Sequence, residues 1–184
     1  MATKHASGEA PRLSARGFSL LEATIVVAIV AIVGAAALPS FTALVEARRL
    51  DGAATRLAAD VQFARSEAIA RNRSLRLSIA AGADATCWVV HTGASGDCRC
   101  SVAGVACANG ALAIRSVVLP SAERVAVGGN VGSIVFDPLH GTSTPTGTLS
   151  LSDARGRSVR HVVNVLGRVR SCSPDDAIVG YPNC

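Results

Sequence analysis

Between Phe18 and Leu38 the chain reads FSLLEATIVVAIVAIVGAAAL, 21 residues that carry one charge, Glu22. As a helix rising 1.5 Å per residue, such a run crosses roughly 30 Å of hydrocarbon, so it can span a membrane. The remainder of the 184 residues is material for one compact core. Lys4, Arg12 and Arg16 precede the apolar run, which favours an N-terminus inside and a head outside. All six cysteines, Cys87, Cys98, Cys100, Cys107, Cys172 and Cys184, follow it, as expected if the head resides in an oxidising compartment.

A carboxylate within an apolar helix costs about 2.5 to 3.5 kcal/mol even on a lenient insertion scale, so Glu22 needs a partner or a task. The stretch RGFSLLEATIVV resembles the class III signal of type IV pilins and pseudopilins. That resemblance implies cleavage between Gly17 and Phe18 by a prepilin peptidase, N-methylation of Phe18, and retention of the helix as an anchor. It also implies that Glu22 neutralises the amino terminus of a neighbouring subunit during assembly, a pairing strengthened by the poor screening of lipid. A secretory signal ending near Ala35-Ala36-Ala37 is the competing reading; it leaves Glu22 without a role. Pro39 is the 22nd residue of the proposed mature chain, and the carbonyl it frees at Ala35 predicts a kink or local melting.

Beyond Pro39, Leu50, Ala54, Leu57, Val61, Ala64 and Ala68 recur at steps of four and three, a helical stripe. Arg56 with Asp60 and Glu67 with Arg71 have the four-residue spacing of solvated helical pairs. One helix from Phe18 to about Asn72 is the expectation. Short Val, Ile and Leu runs punctuated by Gly, Pro, Ser and Asp then predict strands. They fall at Ser74 to Ala80, Thr86 to His91, Ala113 to Leu119, Arg124 to Val127, Ser133 to Phe136, Gly147 to Ser152 and Arg157 to Val165. Asp153-Ala154-Arg155-Gly156 is the expected hairpin turn.

A long helix followed by antiparallel strands ending in FDPLHGTSTPTGTLSLSDARGRSVRHVVNVLGRVR resembles the GspH/FimT branch of minor pilins and pseudopilins. The fold class is accordingly α+β, a long N-terminal helix packed on an antiparallel β-rich head. The expected divisions are a leader at 1–17, a transmembrane and assembly helix at 18–38, its amphipathic continuation at 39–72, and the head at 73–184.

The end of the head gathers Arg155, Arg157, Arg160, His161, Arg168 and Arg170, with Asp153 the one opposing charge before Asp175. Gly167-Arg168-Val169-Arg170 matches the GRxR motif of FimT-type minor pilins, a resemblance that implies DNA binding during natural transformation. In an extended segment Arg168 and Arg170 share a side at roughly 6.6 Å, close to the spacing of successive phosphates. Gly167 permits close backbone approach, and guanidinium forks bind phosphate oxygens in pairs, which predicts binding without sequence preference. The bland alternative is a hairpin ending in two solvated arginines. Aromatic platforms are few, with Trp88 and Tyr181 beside Phe136 in the head.

Cys172 and Cys184 bracket SCSPDDAIVGYPNC and are expected to staple the tail to the strand bearing GRVR. Among Cys87, Cys98, Cys100 and Cys107 three complete pairings are open. A zinc site would need a paired C-x-x-C that the chain lacks, and no nucleophile, base and orienter can be assembled from His140, His161 and the serines. No enzyme activity, cofactor or metal is expected. The expected partners are DNA, other pilin subunits, the prepilin peptidase and the inner membrane, with the head in the periplasm and the subunit carried into a pilus or pseudopilus. The alternative function is a structural pseudopilin that primes a type II secretion filament without binding DNA.

Overall fold

The computed structural model describes residues 18–184; the leader, with Gly17 at its end, lies outside the described residues, as does the side chain of Pro39. Two compact units emerge, one ending at Phe41 and the other running from Thr42 to Cys184. The helix α1 (Leu20–Ala70) contributes its first part to one unit and the rest to the other. The Ser19 hydroxyl accepts from the Glu22 N–H at 3.2 Å and so caps the start. Helical structure continues through position 39, so the melting expected near Ala35 does not occur; proline removes one hydrogen bond, and the flanking turns retain theirs. At the other end Asn72 takes a left-handed φ of 48°, and the Arg73 N–H reaches back to the Ala68 carbonyl at 3.1 Å.

In the first unit the apolar side chains, Phe18, Ile25, Val30 and Ile32 among them, are exposed. Among the described residues α1 carries the one segment long and apolar enough to span a membrane.

The second unit is built around the stripe. Leu50, Ala54, Leu57, Val61, Ala64 and Ala68 are fully buried and form one core with residues of two antiparallel sheets. The strands are β1 (Leu75–Ala81), β2 (Ala85–His91), β3 (Cys98–Ser101), β4 (Gly104–Cys107), β5 (Ala113–Pro120), β6 (Val125–Gly129), β7 (Ser133–Phe136), β8 (Ser143–Thr144), β9 (Gly147–Asp153), β10 (Ser158–Val163) and β11 (Val169–Cys172). The first sheet has the order β5-β2-β1-β7-β8 and the second β11-β10-β9-β6, while β3 and β4 form a separate ribbon. Alternation does the sorting: in β9 Leu149 and Leu151 face the core while Ser150 and Ser152 face away.

Three expectations need correction. Asp60 is not a solvated partner of Arg56: it is buried, accepting from Trp88 Nε1 at 2.7 Å and Arg115 Nη1 at 2.9 Å. The buried indole N–H needs an acceptor, and a helix position beside Val61 supplies it. The Arg115 guanidinium also lies 3.8 Å from the centre of the Phe63 ring. Second, β10 ends at Val163, not Val165, and β11 is a separate strand; apolar continuity through Val165 and Leu166 concealed the turn. Third, β3, β4 and β8 are strands in addition to those expected, since four-residue and two-residue strands carry too little alternation to mark them in the sequence. Disulfides Cys98–Cys107, within the ribbon, and Cys87–Cys100, from ribbon to β2, add a covalent restraint to the small buried cluster of Cys87, Val89, Cys98 and Ala111. The Glu67–Arg71 pair is present.

Candidate nucleic-acid interface

The expected site residues lie on the β9-β10-β11 edge of the second sheet, and the structure separates them into two groups. At one end of β10, the turn closes with the Asp153 N–H donating to the Arg157 carbonyl at 3.0 Å. Asp153 Oδ1 accepts from the Arg155 and Arg157 N–H groups at 2.9 and 3.0 Å, and Oδ2 accepts from Arg157 Nε at 2.7 Å. A second guanidinium nitrogen of Arg157 donates to the Ala43 carbonyl at 3.3 Å. Arg155 pairs with Glu46, which also meets Arg124 at 3.3 Å; the hydrogen bond from Arg155 is the main cause holding the Glu46 carboxyl below its ordinary pKa. Arg155 and Arg157 thus already have carboxylate partners. The structure does not bring them together with the GRVR residues, because β10 intervenes.

Toward the other end, Arg160 lies opposite Cys172 and Arg170 opposite Val162. Arg160, Val162 and Arg170 are exposed while Val159, His161 and Val163 are buried, so the former three occupy the outer face. Among the described residues no carboxylate pairs with Arg160, Arg168 or Arg170. Arg168 precedes the strand: its N–H donates to Asn164 Oδ1 at 3.0 Å and its carbonyl accepts from the Asn164 N–H at 3.1 Å. Val169, between the two arginines, packs on the core.

Gly167 serves a different purpose from the one its sequence context suggests. It is buried, with φ 69°, and a Cβ there would come 2.7 Å from Arg65 Cδ and 3.1 Å from the Gly141 carbonyl oxygen. Its contact is with α1, not with solvent. Arg65 Nε donates to the Gly141 carbonyl at 2.9 Å and Gln62 Nε2 to the Gly167 carbonyl at 3.4 Å. Ser143 completes the seat, its N–H donating to the Val165 carbonyl at 2.8 Å and its hydroxyl to the Asn164 carbonyl at 2.6 Å. Arg65, Gln62, Asn164 and Ser143 had no sequence signal, since each reads as an ordinary helix-surface or loop residue until the chain is folded.

The disulfide Cys172–Cys184 closes the tail against β11. The Ser173 N–H donates to the Pro182 carbonyl at 2.9 Å and the Tyr181 hydroxyl to Asp51 Oδ1 at 3.0 Å. Beneath the face, His161 Nδ1 lies 2.8 Å from Ser171 Oγ, and burial pushes the imidazole down to about 4, so the ring is neutral at pH 7. Trp88 and Phe136 are buried, which removes both as platforms for a base. Phe18 is 80% exposed, and Glu22 lies in the first turn of α1.

A long helix packed on antiparallel sheets, with an apolar N-terminal segment, defines a pilin-like α+β protein. Residues 12–38 match the prokaryotic N-terminal methylation motif, and residues 53–167, more than half of the chain, match the family described as Type II transport protein GspH. The chain belongs to the GspH family. No curated protein matches it. Two crystal structures of the type IV minor pilin FimU from Pseudomonas aeruginosa are similar to it. One is 22% identical, covering 71% of this chain and 96% of FimU, with a TM-score of 0.49. The other is 21% identical, covering 70% and 99%, with a TM-score of 0.47.

Proposed function

We propose that this GspH-family chain is a minor pilin of a type IV pilus machine whose head binds extracellular DNA, through its phosphate backbone and without sequence preference, for uptake in natural transformation. In this reading a prepilin peptidase cuts between Gly17 and Phe18, Phe18 is N-methylated, and Glu22 pairs with the amino terminus of a neighbouring subunit. The helix anchors the subunit in the inner membrane with the head in the periplasm until assembly.

The observation that carries the DNA reading is that Arg160, Arg168 and Arg170 are exposed and have no carboxylate partner among the described residues, whereas Arg155 and Arg157 each have one. Guanidinium groups held at a seated loop are pre-ordered for phosphate oxygens. Three phosphate contacts correspond to a slope of log affinity against log salt of about −2.7 on duplex DNA. Titration of labelled duplex DNA with the full chain in detergent micelles tests this. Arg168→Gln with Arg170→Gln is expected to abolish most binding at unchanged circular dichroism, and equal binding by the folded double variant refutes the assignment.

The second reading is a structural pseudopilin of a type II secretion filament, favoured by the family's description as a type II transport protein. It shares the leader and Glu22 but predicts no DNA binding.

A further inference from the structure

Within the second unit, the first turns of α1 and the C-terminal tail enclose a hollow of about 340 Å³, lined by the aliphatic Leu44, Ala47, Ile178 and Val179 and by the charged Arg48 and Asp51. Val179 is 97% exposed and Leu44 53%. A single exposed aliphatic side chain needs no explanation. Here two of them line one hollow, and the tail is not free to turn Val179 inward. Its neighbour Ile178 is buried in the core, the Cys172–Cys184 disulfide closes the tail, and the Tyr181 hydroxyl occupies Asp51 Oδ1 at 3.0 Å.

The place of this hollow along the chain points to its occupant. Leu44 follows Leu38, the end of the apolar run, by six residues of continuous helix, a path of about 9 Å. Whatever direction the helix takes, Leu44 is no farther than that from the end of the span. The headgroup zone outside the hydrocarbon is itself about 5 to 7 Å thick on each side, so the remaining distance is one that a side chain closes.

We infer, on the basis of the inner-membrane anchor proposed above, that this hollow docks on the phospholipid surface: Leu44 and Val179 enter the boundary between headgroups and acyl chains while Arg48 meets lipid phosphate. Arg48 and Arg49 are exposed and have no carboxylate partner among the described residues. An arginine stem lies along apolar surface while its guanidinium binds phosphate oxygens. Asp175 and Asp176, exposed in the same tail, offset those two charges. The contact therefore rests on aliphatic insertion and not on anionic lipid.

The full chain is reconstituted in phosphatidylcholine vesicles with and without bromine on the acyl chains, a quencher that acts on an indole only at close range. Val179→Trp puts the indole at the hollow. Leu139→Trp puts the same indole on another exposed loop, one whose Gly141 abuts Ile69, about 38 Å along α1 from Leu44. The native Trp88 is buried and gives both variants the same background. Val179→Trp is expected to lose about half of its added fluorescence to brominated lipid, as for a side chain buried about 5 to 10 Å into the interface, and Leu139→Trp to lose none. Flotation in a density gradient separates the two readings. A chain that does not float with the vesicles overturns the anchor and the inference together. A chain that floats, with position 179 quenched no more than position 139, overturns the inference and leaves the anchor standing. Emission from position 179 that shifts to the blue as more chain is added per vesicle, without quenching, assigns the hollow to a second copy and also overturns it.

Discussion

Replacing Gly167 by alanine separates two costs that the structure places at one residue. The first is conformational: an L-residue at φ 69° pays about 1 to 2 kcal/mol for the left-handed region. The second is steric and local. The new methyl would lie 2.7 Å from Arg65 Cδ and 3.1 Å from the Gly141 carbonyl oxygen, so the Arg65 side chain must swing away. That movement gives up its 2.9 Å hydrogen bond to Gly141, about 0.5 to 1.5 kcal/mol. Together these amount to about 1.5 to 3.5 kcal/mol, or a fall in Tm of roughly 3 to 14 °C for a head of this size. Gly156 supplies the control, with φ 81° and no atom within 4 Å of its would-be Cβ. Gly156→Ala is thus expected to pay the conformational cost alone and to melt above Gly167→Ala. Thermal unfolding of the full chain in detergent micelles, followed by circular dichroism, measures the difference. Equal Tm values for the two variants would show that the arginine loop does not rest on α1 and would remove Arg65 from its support.

Three other outcomes follow from the same contacts. Asp60→Leu strands the Trp88 indole N–H and is expected to cost about 2 to 3 kcal/mol in denaturant titration; Asp60→Asn keeps an acceptor and is expected to cost about half as much. Equal costs would remove the indole contact as the cause. His161 is held neutral, with a pKa of about 4 against an ordinary 6.5. Its contribution is therefore complete above pH 6.5 and is lost as pH falls from 6.5 towards 4, by about 3 kcal/mol. His161→Gln should lose less Tm than the parent between pH 7 and pH 4.5; buried His91, also shifted downward chiefly by burial, keeps part of the dependence in both. Glu22→Ala is expected to leave membrane insertion intact or improved while incorporation into filaments falls, and normal incorporation in sheared-filament preparations would end the assembly role.

The local periodicities of the chain determined its elements. The four-and-three stripe from Leu50 to Ala68 names the buried face of α1 because side-chain direction on a helix depends on sequence spacing alone. Strands such as Ser133 to Phe136 were legible for the same reason at period two. The leader motif and GRVR were legible as short contiguous patterns, and so marked the two regions on which the proposed function rests. What the sequence left open depends on which distant residues meet. Of three possible pairings, Cys98 meets Cys107 because β3 and β4 set them directly opposite, and packing of that ribbon on β2 brings Cys100 to Cys87. Asp60 is a buried acceptor only because Trp88 comes from β2 to face α1. Five clustered arginines and a histidine look alike in the sequence. Folding brings Glu46 and Asp153 to Arg155 and Arg157, buries His161, and leaves Arg160, Arg168 and Arg170 exposed, since a charge is neutralised by what approaches it in space.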